Sequence, residues 1–481
     1  MASSAPARPR PHVLLVAAAF QSHVNPLLRL GRRLAAKGLL VTFTTALRAG
    51  IRLGSGNEDE AGPGRGMLRV EPLRGCGLWA PDDPRFRDSD DMARHVEAAG
   101  PATLADLIRR QAEAGRPVTC VVANAFVPWA LRAAGELGLP RGMLWIQSCA
   151  LLSVYFHHVH ALAAFPDLDS DAPGSVVTLP GLPELHADEL RPLLIYVAEQ
   201  DLWRQMLVAD LGRAREAVSW VFVNTFDELE HAAVEGLRNN DLPVVPIGPL
   251  LDPPDATTDD DNGGCIEWLD AHAPRSVVFV AFGSLVKIDS DEVAEIAAGL
   301  AATGRPFLWV LRDDNRATLS TSALAAAACS CGDWGKVVPW CAQGRVLSHP
   351  ATGCFVTHCG WNSTAEALAA GVPVVASPRW SDQRINARFL VDVHRVGVRA
   401  PAPLTRDALR GCVEEVMGGP EAEAMALRAA RWKAEARAAV QGGGSSDRGV
   451  QAFVDQLTLI RRAGAGRADD LHVCPVQHED E

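Results

Sequence analysis

Apolar positions in this chain come in short unbroken runs, separated by stretches where they recur every three or four residues. The first run, HVLLVA (12–17), precedes PLLRLGRRLAAKG (26–38), which has the spacing of an amphipathic helix, and then LLVTFTT (39–45). The order repeats in VTCVVAN (118–124), WALRAAGELG (129–138) and GMLWIQS (142–148), then in SWVFVNTF (219–226) and VVPIGPLL (244–251). Runs that are apolar at every position suit strands buried on both faces, and their alternation with helices predicts parallel sheets. The Pro/Asp/Gly-rich stretch LDPPDATTDDDNGG (251–264) interrupts the pattern and reads as a linker. Beyond it the alternation restarts: SVVFVAFGS (276–284), the helix DEVAEIAAGLAATG (291–304), PFLWVLR (306–312), KVVPW (336–340), CFVTHC (354–359), the helix STAEALAAG (363–371), PVVASP (373–378) and a helix over 382–394. Two further helical stretches are broken at GGGSS (442–446). The expected fold is α/β, with two facing doubly wound, Rossmann-like domains over 1–250 and 265–462 and a disordered polar tail over 463–481. In such a fold, ligands sit at the carboxyl ends of the strands.

Composition narrows the function. The 481 residues are 48% hydrophobic and 22% charged, the balance of a soluble globular protein too long for one core. A net charge of −12 argues against nucleic acid or an anionic membrane as a general partner, so an anionic ligand needs a local site of helix ends and backbone N–H groups. No window approaches the roughly 18–20 apolar residues of a membrane span. The Pro/Arg-rich leader before HVLLVA does not read as a signal peptide. The 11 scattered cysteines, with no CxxC pair, fit reduced thiols in a cytoplasmic protein, here expected to be a monomer. Cys329 and Cys331 form a lone CxC, a weak metal signal.

The chemistry concentrates in WCAQGRVLSHPATGCFVTHCGWNSTAEALAAGVPVVASPRWSDQ (340–383). A strand ends at His358-Cys359-Gly360, and a helix is expected to start near Asn362 or Ser363, where Ser363 and Glu366 have the spacing of a capping box. The positive end of that helix would stabilise a diphosphate. Trp340, at the end of its own short strand, offers an indole face on which a base can stack. Asp382 and Gln383 open the next helix at a third strand end and carry the acceptors and donors that sugar hydroxyls require. Each residue alone has a plain structural explanation, as core aromatic, core histidine or N-cap. Their convergence at consecutive strand ends points to a nucleotide sugar.

This segment resembles the nucleotide-sugar signature of the plant UDP-glycosyltransferases that act on small molecules. FGSL (282–285), PGLP (180–183), VNTFDELE (223–230) and PIGPL (246–250) also resemble segments of that family. The resemblance implies a GT-B fold and a UDP-sugar donor. It assigns Trp340 to uracil, Gln343 and Glu366 to the ribose, Ser284, His358, Asn362 and Ser363 to the diphosphate, and Trp361 to the UDP-sugar site without a particular group. Trp380, Asp382 and Gln383 are assigned to the sugar. A closing Gln383 is the family's usual mark of glucose, and no metal or cofactor is implied. Ala342 stands where the family usually has proline, so a local loosening is expected. The run Asp259-Asp260-Asp261 lies in the linker and reads as a solvated acidic loop.

The catalytic end lies in FQSHVNP (20–26). Asn25 and Pro26 suit an N-cap and a first helical residue, which would leave His23 exposed at a strand end as a general base. The resemblance supports that role, although Ser22 replaces the family's usual glycine. It also places Asn124 where most relatives carry an aspartate that pairs with the histidine. An amide orients imidazole but does not stabilise imidazolium. An aromatic carboxylic acid, already ionised at neutral pH, needs no strong base. The segments 27–45 and 126–129 resemble the glucose-ester-forming branch, whose acceptors are hydroxycinnamic, benzoic or indolic acids. The expected reaction is inverting transfer from UDP-glucose to such an acid. Glucosylation of phenol or flavonoid hydroxyls is the alternative, followed by a weakly catalytic sugar-nucleotide binder. A dinucleotide oxidoreductase would need GxGxxG after the first strand, and AAAFQSH has no glycine. Acceptor-lining positions are expected around Trp145–Cys149, Tyr155 and Leu193–Val197.

Overall fold

The computed structural model describes residues 10–46, 58–59, 66–73, 89–166, 175–194, 202–252, 263–284, 286–317, 319–322 and 334–469. The CxC pair, the acidic run and most of the linker lie outside them, as do residues 195–197 and 470–481.

Two parallel sheets form the frame. The first contains β1 (His12–Ala17), β2 (Leu40–Thr45), β3 (Glu58–Asp59), β4 (Met67–Val70), β5 (Cys120–Asn124) and β6 (Arg141–Trp145). A separate hairpin pairs β7 (Val176–Val177) with β8 (Leu185–His186), and the first sheet is completed by β9 (Trp220–Val223) and β10 (Val244–Pro246). Its order is β10-β9-β6-β5-β1-β2-β4-β3, parallel throughout except at the short edge strand β3. The second sheet contains β11 (Val277–Ala281), β12 (Phe307–Val310), β13 (Gly335–Val338), β14 (Thr352–Thr357), β15 (Val374–Ala376) and β16 (Gly397–Arg399), in the order β13-β12-β11-β14-β15-β16. Each sheet starts in its interior, runs outward to one edge, and returns to cover the other side of the starting strand. This leaves a topological switch point between β1 and β5, and another between β11 and β14.

The central strands β1, β5, β11 and β14 are largely apolar because both faces are covered. Leu14 and Val16 pack into one cluster with Trp129 and Phe156, whereas Val13 and Leu15 pack into another with Phe43 and Phe222. In the second sheet Val277 and Phe279 face one cluster, and Val278 and Val280 face the other.

Seven helices bear on the argument below: α1 (Gln21–Ala36), α2 (Cys149–Val159), α3 (Leu202–Leu211), α4 (Gln343–Ser348), α5 (Trp361–Ala370), α6 (Gln383–Arg388) and α7 (Ser445–Asp469). The last one departs from the expected division of the chain. Val450, Phe453, Val454 and Leu457 of α7 pack in the cluster of the first sheet, not the second. Phe453 meets Trp220 and Phe222 edge-on at 4.9 and 4.8 Å, and Trp220 donates to Gln456 at 2.5 Å. The helix also runs on to Asp469, into the stretch expected to be a disordered tail. Among the described residues no helix is long and apolar enough to cross a membrane.

Candidate functional site

Both switch points open into one cleft of about 2120 Å³ between the two sheets. That exceeds the roughly 300–1,000 Å³ of a single small-molecule pocket, so it has room for two substrates. Every site residue that falls in the second half of the chain, from Ser284 to Gln383, lines it, and so does His23.

At the β11/β14 switch point the two strands end in glycine-bearing turns. Gly283 has φ +72°, and a Cβ there would lie 2.6 Å from the His358 ring; a Cβ at Gly360 would lie 2.4 Å from His358 Nε2. These two glycines are the reason an imidazole fits between adjacent strand ends. Burial, then the charges of Arg312 and Arg379, pull the His358 pKa down to about 4, so its ring is neutral at physiological pH. Its buried Nδ1 has no partner among the described residues.

The expected capping box does not form. Cys359 adopts φ +63°, and α5 begins at Trp361 with Gly360 as its N-cap, placing Ser363 inside the first turn. Gly360 has no side chain to cap the helix, and the Trp361 N–H at its start is engaged by Asp382. Ser363 and Glu366 turn instead toward α4: Gln343 Nε2 donates to Ser363 Oγ at 2.9 Å and to Glu366 Oε2 at 2.7 Å. Trp361 is buried and donates from its indole to the Asn224 carbonyl at 2.8 Å, pinning α5 to the first half of the chain. Trp340 lies just past β13 and is 37% exposed, leaving an indole face open to the cleft. Ala342 does not loosen its turn. Its φ is −74°, the value proline would impose, and its carbonyl accepts from Arg345 and Val346 as α4 begins.

Trp380 is 46% exposed, whereas Asp382 and Gln383 are buried. The Gln383 carbonyl accepts from the backbone N–H groups of Arg379 (2.8 Å) and Trp380 (3.1 Å), which shapes the turn that displays Trp380. Asp382 is not a side-chain N-cap; its Oδ2 accepts from Asn386 at 2.8 Å. Burial pushes the Asp382 carboxyl up to about 6, against the opposing pull of Asn386 and the Trp361 N–H.

The β1/β5 switch point differs more from expectation. α1 begins at Gln21, before the predicted cap, so His23 sits within the helix and Asn25 is not an N-cap. Gln21 Nε2 donates to Asn25 Oδ1 at 2.5 Å, one turn on. Pro26 lies inside the helix and has no N–H to offer the Ser22 carbonyl one turn back. That carbonyl accepts instead from Asn362 Nδ2 of α5 at 3.0 Å, so Asn362 reaches the other half of the chain. His23 is walled by aromatic rings: Phe20 at 5.7 Å and Phe126 edge-on at 5.1 Å. Burial alone lowers its pKa to about 4. Asn124 ends β5, fully buried, with Oδ1 accepting from the Ala18 N–H at 3.0 Å. No hydrogen bond joins Asn124 to His23, and Asn124 Nδ2 and His23 Nδ1 are both buried without a partner among the described residues.

Sequence reasoning missed part of the acceptor end. Trp203 of α3 packs edge-on against Phe20 at 5.5 Å and lines the cleft with Leu207, beside Ile146, Gln147 and Tyr155, which fall within the expected lining. Trp145 and Cys149, expected as lining, are core residues, as are Leu193 and Leu194. The pattern of α3 carries no signal that distinguishes a cleft wall from a core helix.

A family model, UDP-glucoronosyl and UDP-glucosyl transferase, matches residues 199–431. The gallate 1-beta-glucosyltransferase of Quercus robur is 42% identical over 477 residues, covering 95% of this chain and 92% of its own. The chain belongs to the UDP-glycosyltransferase family. The cinnamate beta-D-glucosyltransferase of Fragaria ananassa is 40% identical, over 93% of this chain and 83% of that one. The crystal structure of Os79 from O. sativa in complex with UDP superposes with a TM-score of 0.80 at 32% identity, over 92% of this chain and all of that one. The fold is accordingly GT-B, and this UDP-glycosyltransferase is an enzyme whose donor is a UDP-sugar.

Proposed function

We propose that this enzyme transfers glucose with inversion from UDP-glucose to the carboxylate of a small aromatic acid. Uracil stacks on Trp340, and Gln343 and Glu366 hold the ribose. His358, Ser284, Ser363 and the positive end of α5 meet the charge that grows on the departing diphosphate. Asp382, Gln383 and Trp380 hold the hexose. An acceptor carboxylate oxygen attacks the anomeric carbon as the bond from that carbon to the diphosphate oxygen breaks. No proton has to move, and no metal or cofactor is required.

The observation that carries this reading is that His23 is walled by Phe20 and Phe126, its basicity depressed by burial, while β5 ends in the uncharged amide of Asn124. Such a base is poorly matched to a phenol near pKa 10 but unnecessary for an acid near pKa 4. The names of the gallate and cinnamate glucosyltransferases point the same way. Gallate carries both a carboxyl and phenols, so it separates the readings in one reaction. Incubation with UDP-glucose should give a product cleaved by mild base; a base-stable glucoside would refute ester formation. His23→Ala should depress turnover of phenols more than that of acids, and equal loss on both would contradict the pre-ionised nucleophile.

A further inference from the structure

The donor site is built on the second sheet, yet one of its groups is held from the first. Glu366 of α5 lies under α1, where Arg29 Nη2 comes within 3.5 Å of Glu366 Oε1. The same guanidinium is anchored on Asp252 at 2.5 Å and on the Leu250 carbonyl at 3.1 Å, at the start of the linker. Both partners are largely buried, with side chains 11% and 10% exposed. The Asn362 contact to the Ser22 carbonyl docks the same two helices nearer their N-termini.

We infer that Arg29 is a positioning residue for the nucleotide: it keeps Glu366 ionised and turned toward the ribose, so that the donor site is complete only when the acceptor half is docked. This rests on the ribose assignment above. Burial leaves the Glu366 carboxyl raised, with Arg29 foremost and then Gln343 opposing that rise. The groups facing it are Arg29 from α1, Asp252 from the linker, Gln343 from α4 and Ser363 on its own helix. Among these Arg29 is the single cation, and Asp252, which also raises Glu366, is itself covered by Arg29 and Arg32. Removing the guanidinium would leave Glu366 buried with no cation beside it and with Asp252 held by Arg32 alone, which favours its protonation. A neutral carboxyl is a weaker acceptor for a ribose hydroxyl than a carboxylate.

The test is calorimetric titration with UDP from about pH 8 down to about pH 5. Arg29→Met should weaken UDP at least tenfold near neutrality, and the loss should grow as pH falls while the wild-type affinity stays flatter. Arg29→Lys should recover most of the affinity. At saturating UDP-glucose, kcat should change much less than KM. In a Glu366→Gln background, Arg29→Met should have almost no effect. An Arg29→Met enzyme with wild-type affinity and pH slope would overturn the inference, as would an equal loss in the Glu366→Gln background. Glu366→Gln alone tells the two levels apart. Unchanged affinity removes the ribose assignment itself, whereas weakened affinity without an Arg29 effect removes the inference alone.

Discussion

Replacing Asn124 with aspartate should turn this enzyme toward phenols. Burial holds His23 at about 4, whereas a phenol titrates near 10, a gap of about six pKa units or about 8 kcal/mol. An aromatic acid presents no such gap. The Asn124 Oδ1 already accepts from the Ala18 N–H, and an aspartate can keep that bond while its second oxygen replaces the unpartnered Nδ2. A carboxylate within about 4–6 Å raises a histidine by about 1–3 units. The proton-transfer step would then ease by about 1.4–4 kcal/mol, roughly a 10- to 1000-fold gain. The assay is kcat/KM for a phenol without a carboxyl and for a benzoate without a phenol, compared between Asn124→Asp and wild type. Phenol turnover should rise, and benzoate turnover should stay level or fall, because the added charge repels an anionic acceptor. A parallel rise in both, or no rise for the phenol, would show that basicity at His23 does not govern acceptor choice.

Three further outcomes are expected. Trp340→Ala should weaken UDP by about 1–3 kcal/mol, read by calorimetry, and leave the melting temperature nearly unchanged because the indole is an exposed stacking face. Gly360→Ala should cost about 1–3 kcal/mol in thermal stability and lower kcat, since its Cβ would lie 2.4 Å from His358 Nε2 and displace the ring. His394, packed against Phe389 and Trp432, is lowered by burial to about 4, so the unfolded chain takes up its proton first. Its contribution to stability is full above about 6.5 and is lost as pH falls toward 4. His394→Phe should therefore flatten the stability loss between pH 7 and 5 by about 2 kcal/mol, measured by denaturant melts.

Positions that follow from a strand end were legible in the sequence. His358, Trp340, Asp382 and Asn124 could be placed because unbroken apolar runs mark where each strand stops. The caps were not legible. Ser363 and Glu366 fit the capping pattern, but Gln343, distant in sequence, offered both a hydrogen bond and drew them away from the helix end. The early start of α1 was hidden because QSHVN is polar enough to read as a loop; its helical turn is secured by the Gln21–Asn25 bond. The aromatic wall at Trp203 was invisible for another reason. Amphipathic spacing reveals that a face is covered, not whether protein or ligand covers it.

The crossing of α7 to the first sheet has a consequence for biosynthesis. Domains generally fold in order as they leave the ribosome. Here the acceptor half lacks part of its hydrophobic cover until the far end of the chain has emerged, because Phe453 and Leu457 close the layer that holds Val13 and Phe222. A nascent chain halted anywhere before α7 would expose that face of the first sheet. The acceptor half is therefore a poor candidate for separate expression unless this terminal helix is fused back onto it.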